Sequence, residues 1–112
     1  MRVLVCGGRD YTDYTHVKSV LDELKPTTVI HGNARGADTL ASQYARENKL
    51  DEIACPANWD LYGKSAGVIR NGMMLKHEPD LVVAFPGGPG TAHMVSIATA
   101  AGFKVRVEKE RG

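Results

Sequence analysis

The stretch Arg2-Val3-Leu4-Val5-Cys6-Gly7-Gly8 opens the chain with an apolar run that ends in two glycines. Short runs rich in β-branched residues recur at residues 27–31, 52–56, 81–85 and 104–107. The first, second and fourth runs are continuously apolar, which is typical of strands buried on both faces of a sheet. We therefore predict a parallel sheet of about five strands.

Amphipathic stretches separate these runs. Apolar residues recur at helical spacing in residues 16–24, 37–45, 68–75 and 92–101. Alternating strands and helices imply βαβ crossovers, with helices on both faces of the sheet. The pattern predicts a single Rossmann-like, three-layer α/β domain over residues 1–112.

Composition narrows the class of protein. The 112 residues carry 14 basic and 13 acidic side chains, for a net charge of +1, and 43% of them are apolar. Near-zero net charge argues against a nucleic-acid-binding domain, which usually has a broad basic face. The first apolar run is too short for a signal peptide or membrane span, so we expect a cytoplasmic protein with no membrane association. Cys6 and Cys55 lack the spacing of a zinc site or disulfide framework, and we expect two thiols.

Glycines cluster after three of the predicted strands. Because the carboxyl ends of parallel strands lie along one rim of the sheet, these loops should converge there. Each loop opens a helix whose N-terminus offers free N–H groups and a partial positive charge, which favours an anion such as phosphate. Tight turns also require glycine, so each loop taken alone fits a structural role. The glycines are Gly7 and Gly8, Gly32 and Gly36, and Gly87, Gly88 and Gly90.

Charged side chains lie in or near the same loops. Arg9, Arg35 and Arg70 are placed near the rim, and a guanidinium can bind phosphate in bidentate fashion. Asp38 falls in the first turn of a predicted helix, where a carboxylate is favoured by the helix dipole, although it could also bind a ribose hydroxyl. We favour the structural role for Asp38.

The loop Pro86-Gly87-Gly88-Pro89-Gly90-Thr91 is richer in glycine than a turn requires. Thr91 could cap a helix that begins at Ala92 or donate its hydroxyl to a phosphate oxygen. The sequence contains neither GxGxxG nor GxxxxGK[ST], and no metal-ligand spacing, so we expect no dinucleotide cofactor and no metal. Trp59 and Tyr62 could stack on a planar base, although a lone Trp is more often part of the core.

Four segments carry a resemblance to a known family: VCGGRD at 5–10, HGNARGAD at 31–38, WDLYGKSAGVIRN at 59–71 and DLVVAFPGGPGT at 80–91. The chain resembles the SLOG superfamily of Rossmann-like domains, which includes the Smf/DprA DNA-processing proteins and the LOG-type phosphoribohydrolases. Within it, the chain is most similar to the YspA-like, YpsA-related SLOG proteins. The resemblance implies a small nucleotide-derived ligand held by the glycine loops, a role in sensing or sequestering it, and possible pairing into dimers or higher homo-oligomers. The site residues it implies, with those argued above, are Gly7, Gly8, Arg9, Gly32, Asn33, Arg35, Gly36, Asp38, Arg70, Asn71, Pro86, Gly87, Gly88, Gly90 and Thr91.

Two other functions stay open. The hydrolytic relatives cleave the N-glycosidic bond of nucleoside monophosphates and continue their motif as PGGxGTxxE, but this chain has Met94 where they have Glu. His93, one position earlier, is the nearest group able to exchange a proton at neutral pH. We therefore expect binding without efficient turnover. Single-stranded DNA binding, as in the DNA-processing relatives, is the second alternative, and the near-zero net charge counts against it.

Overall fold

Strand β1 (Arg2–Cys6) is the centre of a five-stranded parallel sheet in the computed structural model, which describes residues 1–110. The strand order is β3-β2-β1-β4-β5, and every neighbouring pair is parallel. A 3₁₀ turn at Gly63–Ser65 joins the third and fourth helices. The other elements are α1 (Tyr14–Leu24), β2 (Thr28–His31), α2 (Ala37–Glu47), β3 (Asp51–Ala54), α3 (Trp59–Tyr62), α4 (Ala66–Leu75), β4 (Leu81–Ala84), α5 (Pro89–Ala100) and β5 (Val105–Val107).

Alternate residues of β1 point into two separate cores. Val3 and Val5 pack with apolar side chains of α1 and α2 on one face of the sheet. Leu4 and Cys6 pack with Met74 of α4 and with α5 on the other face. All four β1 side chains are buried, which explains why this strand is continuously apolar. The sheet therefore lies between two helical layers.

The α/β fold with a parallel sheet of five strands confirms the fold predicted from the sequence. Strand ends differ from the predicted ones by one or two residues. Residues 57–66, to which the strand and helix patterns assign no element, hold two short ones. Asn58 caps a short helix there by accepting a hydrogen bond from the Leu61 N–H at 3.0 Å, so this segment holds α3 and the 3₁₀ turn.

Candidate ligand-binding cleft

A cleft of about 1060 Å³ opens at the carboxyl edge of the sheet. Its walls are the loop after β1, the loop after β4, and the side of α3 and α4 that faces them. Eleven of the residues predicted for the site line this cleft. They are Gly7, Gly8, Arg9, Asp38, Arg70, Asn71, Pro86, Gly87, Gly88, Gly90 and Thr91.

The first and third glycine loops pack directly against each other. The Gly8 N–H donates to the carbonyl oxygen of Pro86 at 2.9 Å. A Cβ added to Gly87 would lie 2.6 Å from the Gly8 nitrogen, and one added to Gly7 would lie 2.6 Å from the Ala37 Cβ. Glycine at positions 7 and 87 is therefore needed for the close packing of these loops against each other and against α2, whatever the cleft binds.

Gly88 and Gly90 differ from the other glycines of the loops. A Cβ added to either would meet no atom within 4 Å, so the chain's own packing does not require glycine there. Gly88 is the N-cap of α5, which has no side-chain cap, and Pro89 occupies the first turn. The free N–H groups of this helix N-terminus therefore lie at the cleft, where a ligand can approach closely.

Thr91 does not cap the helix, contrary to one of our two interpretations. The helix begins at Pro89, before the expected start at Ala92, so Thr91 is already its third residue. A Cβ on Gly87 would overlap the Thr91 hydroxyl oxygen, which places that hydroxyl against the loop that lines the cleft.

The second glycine loop has a bracing role: it packs behind the cleft and contacts Asp38, Arg70 and the first glycine loop. The Asp38 carboxylate accepts hydrogen bonds from the N–H groups of Gly32 at 3.1 Å and Ala34 at 3.2 Å. The Arg70 guanidinium donates to the Gly32 carbonyl oxygen at 2.6 Å. Gly36 has φ +80°, and a Cβ there would overlap the Gly8 carbonyl oxygen.

Four residues of the second loop do not line the cleft. Gly32 and Gly36 are held by the contacts just described, and the Asn33 N–H donates to His31 Nδ1 at 3.0 Å. Arg35 forms an exposed ion pair with Asp10 at 3.2 Å. We predicted that these four residues bind the ligand. The structure places them in the second glycine loop, away from the lining of the cleft.

Asp38 lies at the cleft, but its carboxylate accepts hydrogen bonds from the protein's own backbone. Its side chain is only 7% exposed. Burial raises the pKa of the Asp38 carboxyl, and the hydrogen bond from the Ala34 N–H and the charges of His31 and Arg70 offset part of that rise. These contacts agree with the structural role that we favoured.

Two cations and one aromatic ring also line the cleft. The Arg9 guanidinium lies 5.7 Å from the centroid of the Trp59 ring, a cation–π distance. Trp59 is 50% exposed, so it is not the core residue that a lone Trp usually is. Lys64 also lines the cleft and makes no ion pair with any of residues 1–110. Sequence reasoning left Lys64 out of the site because a lone lysine in a loop has no recognisable pattern.

Asn71 connects α4 to the start of α5. Its side-chain amide donates to the Gly90 carbonyl oxygen at 3.2 Å and faces His93 Nδ1 at 3.0 Å, while its oxygen accepts from Arg70 Nε at 3.2 Å. Because the amide nitrogen is a donor, His93 Nδ1 is the acceptor, and a neutral His93 carries its proton on Nε2. His93 lines the cleft and is the titratable side chain next to the open helix N-terminus.

The thiol of Cys6 forms part of the cleft floor. Burial raises its pKa to about 12, with a smaller contribution from the charge of Asp38. Cys6 therefore stays a neutral thiol at physiological pH and is not activated as a nucleophile. Within residues 1–110, no three His, Cys, Asp or Glu side chains form a cluster able to hold a metal ion. No helix in the same range is both long and apolar enough to cross a bilayer.

Comparison with known proteins places the chain in a family. The model of the YspA, cpYpsA-related SLOG family matches residues 1–62. A relative from Mycobacterium phage D29, Gene 61 protein, is 38% identical over 116 aligned positions that cover 93% of each chain. The chain belongs to the YspA, cpYpsA-related SLOG family. The resemblance given by the sequence motifs is thereby confirmed.

The SLOG family match covers the first two glycine loops and α3, whereas Arg70 and the loop at residues 86–91 lie beyond it. The first loop contributes Gly7, Gly8 and Arg9 to the cleft. The second loop contributes little to the lining. Many of the residues matched by the family model therefore form the framework of the site. The open N-terminus of α5 lies outside the matched range.

Position 94, where the hydrolytic SLOG relatives carry Glu, points into the core of this chain. Met94 is fully buried among Leu4, Met74 and Ala98, and it does not line the cleft. His93, about 100° away around the helix, faces the cleft instead. A carboxylate at position 94 would therefore be buried in apolar surroundings unless α5 rotated.

Proposed function

We propose that the cleft binds a small nucleotide-derived molecule through its phosphate, as a sensing or sequestering module. The observation that carries the proposal is the N-terminus of α5, where Gly88 and Gly90 are open to the cleft and no side chain caps the helix. Backbone N–H groups at a helix N-terminus, together with the helix dipole, favour a phosphate.

The side chains of the cleft support the same ligand class. Lys64 and Arg9 supply positive charge, and each lacks an ion-pair partner among residues 1–110. The half-exposed Trp59 ring offers a surface on which a planar base can stack. A phosphate and a base are the two ends of a nucleotide, and the cleft volume is in the range of small-molecule sites.

The carboxylates of the cleft favour a small ligand over single-stranded DNA. Asp10 and Glu110 line the same cleft as the cations. Ionised carboxylates accept hydrogen bonds from hydroxyl groups, as a ribose would offer, but repel a continuous phosphate backbone. The net charge of +1 agrees with this distinction.

Calorimetry with AMP, ADP, ribose 5-phosphate and inorganic phosphate tests the proposal. We expect saturable binding of a nucleotide, and a loss of affinity of about tenfold or more in Gly88→Val, because the new side chain would occupy the phosphate position. Ala92→Val is the matched control, since Ala92 is exposed on the same helix and does not line the cleft. Equal affinity in Gly88→Val and the unmodified protein would overturn the proposal. A lack of binding to all four probes would overturn it as well.

Nucleotide N-glycosidase activity is the second candidate, favoured by the His93–Asn71 contact at the cleft. In that reaction water would add to the ribose C1′ as the C1′–N bond breaks, with a proton of the water passing to the leaving base. The His93 Nε2–H would hydrogen-bond to the departing base. Chromatographic detection of free base from AMP tests this function. Release that is lost in His93→Ala would support it, and absence of release despite AMP binding would leave ligand binding as the function.

A further inference from the structure

The Arg9 side chain lies over the aromatic face that a nucleotide base would need. Its guanidinium is 5.7 Å from the centroid of the Trp59 ring, and both residues line the cleft. Arg9 extends from the loop after β1, whereas Trp59 begins α3, so the contact joins two walls of the cleft. The ring face that Arg9 covers is therefore the one turned towards the cleft.

A base and the Arg9 guanidinium cannot share this face of Trp59. Stacked aromatic groups are in van der Waals contact, so a base on the ring would occupy the position of the guanidinium. The ring has little room to move away on the side of α4, because a Cβ added to Gly67 would lie 3.6 Å from Trp59 Cη2. Arg9 is therefore the group that must move.

The contact between Arg9 and Trp59 is weak enough to be exchanged. Arg9 is exposed and makes no ion pair with any of residues 1–110. A cation–π contact at an exposed site changes an equilibrium constant about two- to fivefold, whereas a charge-assisted hydrogen bond to phosphate contributes about tenfold or more. A phosphate within reach would therefore draw Arg9 away from the ring.

The proposed phosphate position lies near the backbone of Arg9. Gly8, the residue before Arg9, donates its N–H to the Pro86 carbonyl oxygen at 2.9 Å. Pro86 is two residues before Gly88, the N-cap of α5. A phosphate at this helix N-terminus would thus lie beside the loop from which the Arg9 side chain extends.

We infer that Arg9 covers the Trp59 ring in the free protein and moves to the phosphate when the base takes its place on the ring. The inference rests on the proposed function and adds how the cleft selects a phosphorylated ligand. A nucleoside must displace Arg9 from the ring and offers the guanidinium no phosphate in return. A nucleotide supplies both groups, so Arg9 is a specificity-determining residue that favours nucleotides over nucleosides.

Calorimetry with adenosine, AMP and inorganic phosphate tests the exchange in two variants. Arg9→Ala should bind adenosine about two- to fivefold more tightly, because the ring is uncovered, and AMP about tenfold or more weakly. Trp59→Leu should bind adenosine about fivefold or more weakly and inorganic phosphate about two- to fivefold more tightly, because Arg9 is no longer held by the ring. Damage to the fold would weaken binding of every probe, so the two gains in affinity report the exchange itself.

The fluorescence of Trp59 follows the same exchange directly, since this is the only tryptophan in the sequence. Inorganic phosphate should raise the quenching of Trp59 by acrylamide in the unmodified protein, because Arg9 leaves the ring, and should not change it in Arg9→Ala. AMP should lower the quenching in the unmodified protein, because the base covers the ring. Arg46→Ala is the matched control, since Arg46 is an exposed arginine that does not line the cleft, and it should behave as the unmodified protein does.

The adenosine measurement decides the inference separately from the proposed function. If AMP binds but adenosine binds Arg9→Ala no more tightly than the unmodified protein, the exchange is wrong and the proposed function stands. Weaker adenosine binding to Arg9→Ala would also overturn the exchange, because the base would then stack on the guanidinium itself. If no nucleotide binds, the proposed function and the inference are both wrong.

Discussion

The backbone N–H of Ala37 donates to the carbonyl oxygen of Gly8 at 3.1 Å. The first glycine loop thus occupies the N-terminus of α2, while the Asp13 side chain caps α1 by accepting from the His16 N–H. Of the three helices that follow the glycine loops, α5 is the one without a side-chain cap or a contact of this kind at its first residue. A ligand phosphate is therefore expected at α5, although the sequence gives all three loops similar glycine content.

Gly36 should be essential for stability, because it has φ +80° and lies against Gly8. We expect Gly36→Ala to lower the free energy of unfolding by about 1–3 kcal/mol or more, from backbone strain and overlap. Gly90→Ala should change it little, since its Cβ would meet nothing within 4 Å. Urea unfolding measures both, and equal stability of the two variants would contradict the bracing role of the second loop.

Asp38 should make the folded state less stable as the pH rises through the mildly acidic range. Its pKa is raised above the ordinary value of 3.8, mainly by burial, so the folded state binds more protons than the unfolded chain between the two values. The stability of the unmodified protein minus that of Asp38→Asn should therefore fall from pH 3.8 up to the folded-state pKa, and then level off. Urea unfolding of both proteins between pH 3 and pH 7 measures this difference.

Glu52 provides a control of opposite sign. The Ser42 hydroxyl and then His31 hold the pKa of this carboxyl below its ordinary value of 4.5, despite some burial. The corresponding difference with Glu52→Gln should shrink as the pH falls through the folded-state pKa, below 4.5. If the two stability differences changed with pH in the same direction, burial would not be what controls the titration of Asp38.

Arg70 and Lys64 should differ in what they support. Arg70→Ala removes the hydrogen bond to the Gly32 carbonyl, so it should lower stability by about 1–3 kcal/mol and also weaken nucleotide binding. Lys64→Ala should weaken nucleotide binding by about 1.5–3 kcal/mol, as should Arg9→Ala, while stability stays within about 0.5 kcal/mol. Calorimetry and thermal unfolding on the three variants separate these effects, and unchanged affinity in all three would show that none of these cations contacts the ligand.

Met94→Glu should damage the fold instead of creating a hydrolase. Burying a carboxylate among Leu4, Met74 and Ala98 should cost more than about 3 kcal/mol, whereas Met94→Leu should cost less than about 1.5 kcal/mol. Thermal unfolding and an assay for free base released from AMP measure the two consequences. A stable Met94→Glu protein that releases base would show that position 94 can face the cleft.

The sequence was sufficient for the fold because the apolar runs and helical spacings are local patterns. The residues of the cleft were predictable in part, since the first and third loops end predicted strands. The bracing role of Gly32 was not predictable, because it depends on Arg70, 38 residues away in the chain. The fully buried Met94 was also missed, because a motif position says which residue is present and not which way its helix faces.

The central position of β1 has a consequence for how the chain folds during synthesis. β1 pairs with β2 on one side and with β4 on the other, so its second edge stays unpaired until residues 81–84 have been made. Up to that point Leu4 and Cys6 also lack the helix α5 that covers them. A truncated chain that ends before β4 would expose an apolar strand edge, the kind of surface that recruits other chains into aggregates. Cooperative folding of this protein should therefore begin late, after most of the chain has left the ribosome.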